Sequence, residues 1–184
     1  MAAFRANYTK LALKLAKRLP ERERILAAIG ESSLREISQA GVLSWLPEVH
    51  HARLLDALIK VVGPAGARVF WRDLMLSSFE RSLLRPLVEG GLRLFGRTPR
   101  AILKLSSRAY SLIARDCGTI ENEDVPNGIR LHFQDLPPLL RSTGFVELCH
   151  GNCLSVPVFL GQIARVQPDV SDLSVGTLRI EVRS

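Results

Sequence analysis

The sequence predicts an α+β domain: a helical N-terminal half followed by a four-stranded antiparallel sheet made of two hairpins. Three observations lead there. Apolar residues recur at steps of three and four up to about residue 115. The period then changes to two, in Ile129, Leu131, Phe133 and again in Leu178, Ile180, Val182. The strand runs come as neighbours joined by turn signals, with no helix inside either pair, which favours antiparallel pairing over a βαβ arrangement.

The elements follow in order. Phe4, Tyr8, Leu11, Leu15 and Leu19 draw one apolar stripe along a first helix, with Lys10, Lys14 and Lys17 on another face. Pro20 and Gly30 bracket a second helix around Arg24 to Ile29. Ser33 and Glu36 have capping-box spacing, and Gly41 ends the short helix they would open. Pro47 starts a longer helix with Leu54, Leu55, Leu58 and Ile59 inward, and Gly63-Pro64 closes it. Ala65 to Phe79 is the next. Pro86 and Gly90-Gly91 predict a kink or break within Leu83 to Phe95. Thr98-Pro99, an N-cap and a first-turn proline, launches a helix over Ala101 to Arg115, with Ile102, Leu105, Ala109, Leu112 and Ile113 on one side.

Extended chain begins at Gly118. Pro126-Asn127-Gly128 is a turn, since asparagine and glycine tolerate positive φ. Residues 129–134 alternate as a half-buried strand. Phe145 to Ile163 is helical in pattern, interrupted by Pro157, and Arg165 to Val170 with Thr177 to Val182 forms the closing hairpin. Residues 1–30 read as an N-terminal amphipathic appendage to a single domain over 31–184.

Composition sets the class. The 184 residues are 47% hydrophobic and 23% charged, enough to fold around one core and too apolar for wholesale disorder. Three cysteines do not make a disulfide framework. The basic, interrupted first twenty residues do not form a secretory signal, and no stretch is apolar enough for a membrane span, so the expectation is a cytoplasmic protein. The net charge of +7 is uneven: residues 1–115 carry +11 and residues 116–184 carry −4. That asymmetry and the apolar stripe of the first helix fit pairing of two copies or capture of a protein partner, with Phe4, Tyr8, Leu11, Leu15 and Leu19 as the interface. The same stripe opposite lysines also fits a membrane surface. Glu121, Glu123 and Asp124 beside the strands argue against nucleic acid.

Phosphate-binding glycine loops and the serine-hydrolase elbow are absent. Cys149 and Cys153 lie four apart on one helix face, an arrangement that serves either a core or, with Cys117, a metal or redox site. His50, His51 and the single Glu147/His150 pair fall short of a zinc or di-iron motif.

The stretch from Ser44-Trp45-Leu46-Pro47 to Gly63, then Leu105 to Asp116 with Gly118, then Asp135-Leu136-Pro137, then Gly144 to Phe159-Leu160-Gly161 and the last strand, resembles an uncharacterised domain family much duplicated in myxobacteria. That family in turn is similar to the ligand-binding fold of haem nitric-oxide sensors, four-vinyl-reductase-type domains and TRAPP vesicle-tethering subunits. The resemblance covers roughly residues 40–184. It implies helices around a four-stranded sheet, an apolar pocket between them, and frequent dimers. Haem sensors of this kind hold iron through a helix histidine and the propionates through Tyr-x-Ser-x-Arg. Here the pattern is Tyr110-x-Leu112-x-Ala114, and the helix over 101–115 has no histidine, so neither haem nor another cofactor is expected. The resemblance places the pocket walls at Trp71, Leu74, Phe79, Leu105, Leu112, Phe145, Leu148 and Phe159. The functional expectation is a non-enzymatic module for protein interaction or a small apolar ligand in bacterial signalling or scaffolding. The alternatives are a thiol- or metal-dependent enzyme at Cys149 and Cys153, or a basic protein binding DNA or a membrane surface.

Overall fold

The alternation at 129–134 and 178–183 has one physical solution when helices stand on one side: the odd-numbered and even-numbered sets must segregate to opposite faces. In the computed structural model, which describes residues 1–81, 89–90, 92–93 and 96–183, they do. Strands β4 (Thr119–Val125), β5 (Gly128–Gln134), β6 (Arg165–Asp169) and β7 (Leu178–Arg183) form one antiparallel sheet in the order β4-β5-β7-β6. Ile129, Leu131 and Phe133 pair with Val182, Ile180 and Leu178, and all six are buried. Burying each such side chain contributes about 1.5–3 kcal/mol relative to exposing it. The outward set is a ladder of charge in which Arg130 reaches Glu123 at 2.9 Å and Glu181 at 2.8 Å.

The helical half runs as α1 (Ala6–Ala16), α2 (Arg22–Ile29), α3 (Glu31–Gln39), α4 (Glu48–Arg81), α5 (Pro99–Leu103) and α6 (Ser106–Ile113). Helix α7 (Thr143–Phe159) connects the two hairpins. Gly63, at φ 72°, breaks α4 into two arms at the expected Gly63-Pro64 step. Thr98 caps α5 by accepting from the Ala101 amide, with Pro99 in the first turn. The break expected over Leu83 to Phe95 falls largely outside the described residues.

Several expectations are corrected. Phe4 is not helical: it lies in strand β1 (Ala3–Arg5), which pairs with β2 (Trp45–Pro47) and β3 (Ala114–Arg115) in a second, small sheet. Strands of two or three residues are too short to print a period. In that sheet the guanidinium groups of Arg5 and Arg115 lie 4.1 and 5.0 Å from the ring of half-buried Trp45. Ser33 is not a cap: α3 begins two residues earlier, after Gly30 at φ 83°, and the Ser33 hydroxyl instead accepts from Arg53 and meets His50 at 3.0 Å. The helix expected over 101–115 is two helices, broken at Lys104-Leu105.

Residues 1–30 share the core of the rest. Phe4, Tyr8, Ala12, Leu13, Ala16, Ile25 and Ile29 are buried in one cluster with α4 and the sheet, and Leu11, Leu15 and Leu19 pack half-buried against it. The chain itself therefore covers the stripe. Lys10, on the other face, donates to the carbonyls of Ser38 and Ala40 at 3.0 and 2.6 Å, tying α1 to the end of α3.

Candidate functional site

Helix α7 is buried on two faces, and the two do different things. Gly144 and Gly151, seven residues apart, let it approach the backbone of α4 near Leu55 and Arg68. Between them Glu147 receives a two-pronged ion pair from Arg68, at 2.7 and 3.0 Å. The other face, at helical spacing, presents Leu148, Cys149, Asn152, Cys153 and Val156 to a cavity of about 110 Å³. Met75 and Phe79 close it from the second arm of α4, Ile102, Ala109 and Tyr110 from α5 and α6, and Ile120, Leu131 and Phe133 from the sheet. Phe4 and Tyr8 close it from the N-terminal segment. Its lining is almost wholly apolar.

The polar atoms in this lining divide into used and unused. The Tyr110 hydroxyl donates to the Cys117 carbonyl at 2.8 Å, and the Ser106 hydroxyl donates to the Leu103 carbonyl. The Tyr8 hydroxyl and the Asn152 side-chain oxygen are buried with no hydrogen-bond partner. Burial pushes the ionisation of Tyr8 and Tyr110 far up, so both stay neutral phenols.

The thiols are neutral as well. Burial, and secondarily the neighbouring Cys153, raises Cys149 well above the usual thiol range. Burial alone pushes Cys153 up to about 12, and burial is the main reason Cys117 rises to about 11. A thiolate is what a metal or an electrophile needs. Among the described residues no group of three or more His, Cys, Asp or Glu side chains is placed to hold a metal ion. These thiols fill space. Treated with a thiol reagent at about pH 8, the native protein should show none of its three cysteines reacting, and all three once it is unfolded. A fast-reacting thiol in the native state would contradict this.

The residues expected at the pocket are only partly brought together. Phe79, Leu105 and Leu148 line the cavity. Trp71, Leu74 and Phe145 are fully buried in solid core and do not line it. Leu112 and Phe159 are 39% and 36% exposed. The break before α6 turns the helix so that Ala109, Tyr110 and Ile113 face inward and Leu112 faces out. Asn152 was missed, although its position on the Cys149/Cys153 face is readable from spacing alone. Tyr8, expected at an outer interface, points into the cavity instead.

Beside the cavity lies a second polar group in the core. His51, fully buried, meets the Thr9 hydroxyl through Nδ1 at 3.1 Å and stacks on Phe4 with centroids 4.1 Å apart. Its Nε2 has no partner, and burial lowers its pKa to about 3. His150 stands 3.8 Å from Glu147, a carboxylate already held by Arg68.

With this geometry in view, the fold is that of H-NOX domains. The chain is similar to the Fe(II) unliganded H-NOX protein from K. algicida (TM-score 0.71, 10% identity, 97% of this chain and 95% of that one). It is also similar to an oxygen-binding H-NOX domain related to soluble guanylate cyclases (TM-score 0.62, 13% identity, 97% and 93%). A third likeness is to a protein solved for a study of haem redox potential and porphyrin distortion (TM-score 0.61, 11% identity, 95% and 96%). No family model and no curated protein matches the chain. At such identities the likeness establishes the fold and nothing finer, and it bears on the haem-sensor branch of the expected resemblance.

The cavity does not fit a haem. Among the described residues no histidine lines it, its thiols are held neutral, and no arginine or lysine faces it to meet propionates. Its volume is on the scale of an engineered cavity of roughly 150 Å³ that takes up benzene, far below a porphyrin.

Proposed function

We propose that this chain is a non-enzymatic module that binds one small apolar molecule in a signalling or scaffolding protein, using an H-NOX fold without haem. The observation that carries the reading is the cavity itself: lined by five segments of chain, apolar, and free of reactive or metal-binding groups among the described residues. Apolar cavities of this scale stay dry and accept ligands of matching size. A gas-binding iron centre finds no support in the donor set, and an enzyme built on Cys149 and Cys153 finds none in their protonation.

The test is a titration of the purified protein with benzene, followed by ligand-observed NMR and by thermal unfolding. Saturable binding at one per chain is expected, and saturation at about a hundred times Kd should stabilise the fold by about 2.7 kcal/mol. Ala109→Leu, which grows into the cavity from α6, should abolish binding while leaving the circular dichroism of the fold intact. Absence of saturable binding, or equal binding by the Ala109→Leu variant, would refute the reading.

A further inference from the structure

Two buried polar atoms without partners in one apolar cavity call for an explanation, because an unsatisfied buried group is costly and native structures contain few. Tyr8 is 6% exposed, and its hydroxyl comes from α1. The Asn152 side-chain oxygen comes from α7. The Asn152 carboxamide lies beside the Tyr8 hydroxyl, within hydrogen-bonding reach of it, yet neither the hydroxyl nor the Asn152 oxygen has a well-formed hydrogen bond. The other hydroxyls of the lining are taken: Tyr110 by the Cys117 carbonyl and Ser106 by the Leu103 carbonyl.

We infer that the Tyr8 hydroxyl and the neighbouring Asn152 side-chain oxygen together form a polar seat in the cavity wall, and that the ligand is a small neutral alcohol or phenol whose hydroxyl bonds to both. The inference rests on the cavity-binding reading above and narrows its ligand class. A hydroxyl both donates and accepts, so one such group answers both orphans: it accepts from Tyr8 O–H and donates to the Asn152 oxygen. A ketone or ether accepts only and leaves the Asn152 oxygen bare. A carboxylate or an ammonium ion is disfavoured, since the described lining offers no opposite charge and an unpaired buried ion is far more costly than an unpaired dipole. The rest of the ligand is apolar and about the size of one aromatic ring, as the remaining walls require.

The experiment compares phenol with benzene, by titration calorimetry or NMR, on the full chain and on Tyr8→Phe and Asn152→Leu variants. Thermal unfolding of each variant confirms that it is folded. Phenol should bind the parent protein about tenfold more tightly than benzene, and the ratio should fall to about one or below in either variant. Tyr8→Phe removes an orphan hydroxyl without changing shape, so its folding is secure even if Asn152→Leu crowds the cavity. Benzene binding without a phenol preference, or a preference that survives Tyr8→Phe, overturns the seat while leaving the cavity reading standing. Failure of both compounds to bind the parent overturns the cavity reading and the seat with it.

Discussion

Replacing Gly151 with alanine should destabilise the protein by about 3 kcal/mol, lowering the thermal midpoint by roughly 6–12 °C for a chain of this size. The direction runs against helix propensity, which by itself favours alanine over a mid-helix glycine by about 0.5–1 kcal/mol. The reason is the surface that Gly151 faces. A Cβ there would fall inside the van der Waals envelope of the Arg68 carbonyl oxygen, and within 2.9 Å of both the Arg72 amide nitrogen and the Trp71 Cβ. Two of those three atoms are backbone of α4, which cannot swing aside as a side chain can. Relief therefore needs α7 to lift off α4. That movement would stretch the Arg68–Glu147 ion pair, leaving a mostly buried carboxylate short of its partner. Gly41→Ala is the control: its nearest neighbours are Ser44 atoms at 3.9 Å, its φ is not positive, and its effect should stay within about 0.5 kcal/mol. Urea unfolding of the two variants beside the parent measures both. A Gly151→Ala protein as stable as the parent would show that α4 and α7 are not held at backbone contact.

What could be read from the sequence was whatever repeats or caps. Ile129, Leu131, Phe133 and Leu178, Ile180, Val182 state their faces by alternation, and the structure pairs them with each other. Thr98-Pro99 and Gly63-Pro64 are local chemistry and act locally. The small sheet was illegible because Ala3–Arg5 pairs with Trp45–Pro47 and with Ala114–Arg115 over separations of about forty and about one hundred and ten residues, with two or three residues each. No window along the chain contains that information. The first-helix stripe misled by one element: with Ala3–Arg5 extended, the helix starts at Ala6, and Tyr8 turns inward to the cavity beside Phe4. Helix α7 hid its site for a different reason. It is packed on α4 on one side and lines the cavity on the other, so apolar residues occupy most of its positions and its period is weak. Cys149 and Cys153 are the reactive residue types of this face, while Asn152, the polar residue between them, holds an unsatisfied oxygen.

Acidification from pH 7 to about pH 4 should destabilise the parent protein by about 3 kcal/mol more than a His51→Phe variant. His51 is fully buried among Phe4, Tyr8 and Trp71, with ring centroids 4.1, 5.5 and 5.6 Å away. Its Nε2 meets no acceptor, so a proton added there would be a buried charge without a partner. Desolvation accordingly lowers its pKa from 6.5 to about 3. The sign follows from proton counting. In the unfolded chain the imidazole takes up a proton as pH falls through about 6.5, while in the folded protein it stays neutral until about pH 3. Between those values the unfolded state binds more protons, so stability falls with falling pH at up to about 1.4 kcal/mol per unit. Carboxylates held low in the folded state, such as Asp124 between Arg100 and Lys104, also lose their advantage in acid, but they do so equally in both proteins and cancel in the difference. Phenylalanine keeps a ring in the stack on Phe4 and removes the titrating group. The Thr9 hydroxyl it leaves is on a helix, where threonine turns back to the carbonyl four residues before it. Urea unfolding of both proteins across this pH range should show the stability difference between them moving by about 3 kcal/mol in favour of the variant as the pH falls. Parallel curves would mean that His51 is protonated in the folded state, and that the core around Phe4 and Trp71 admits a counter-charge or water to receive it.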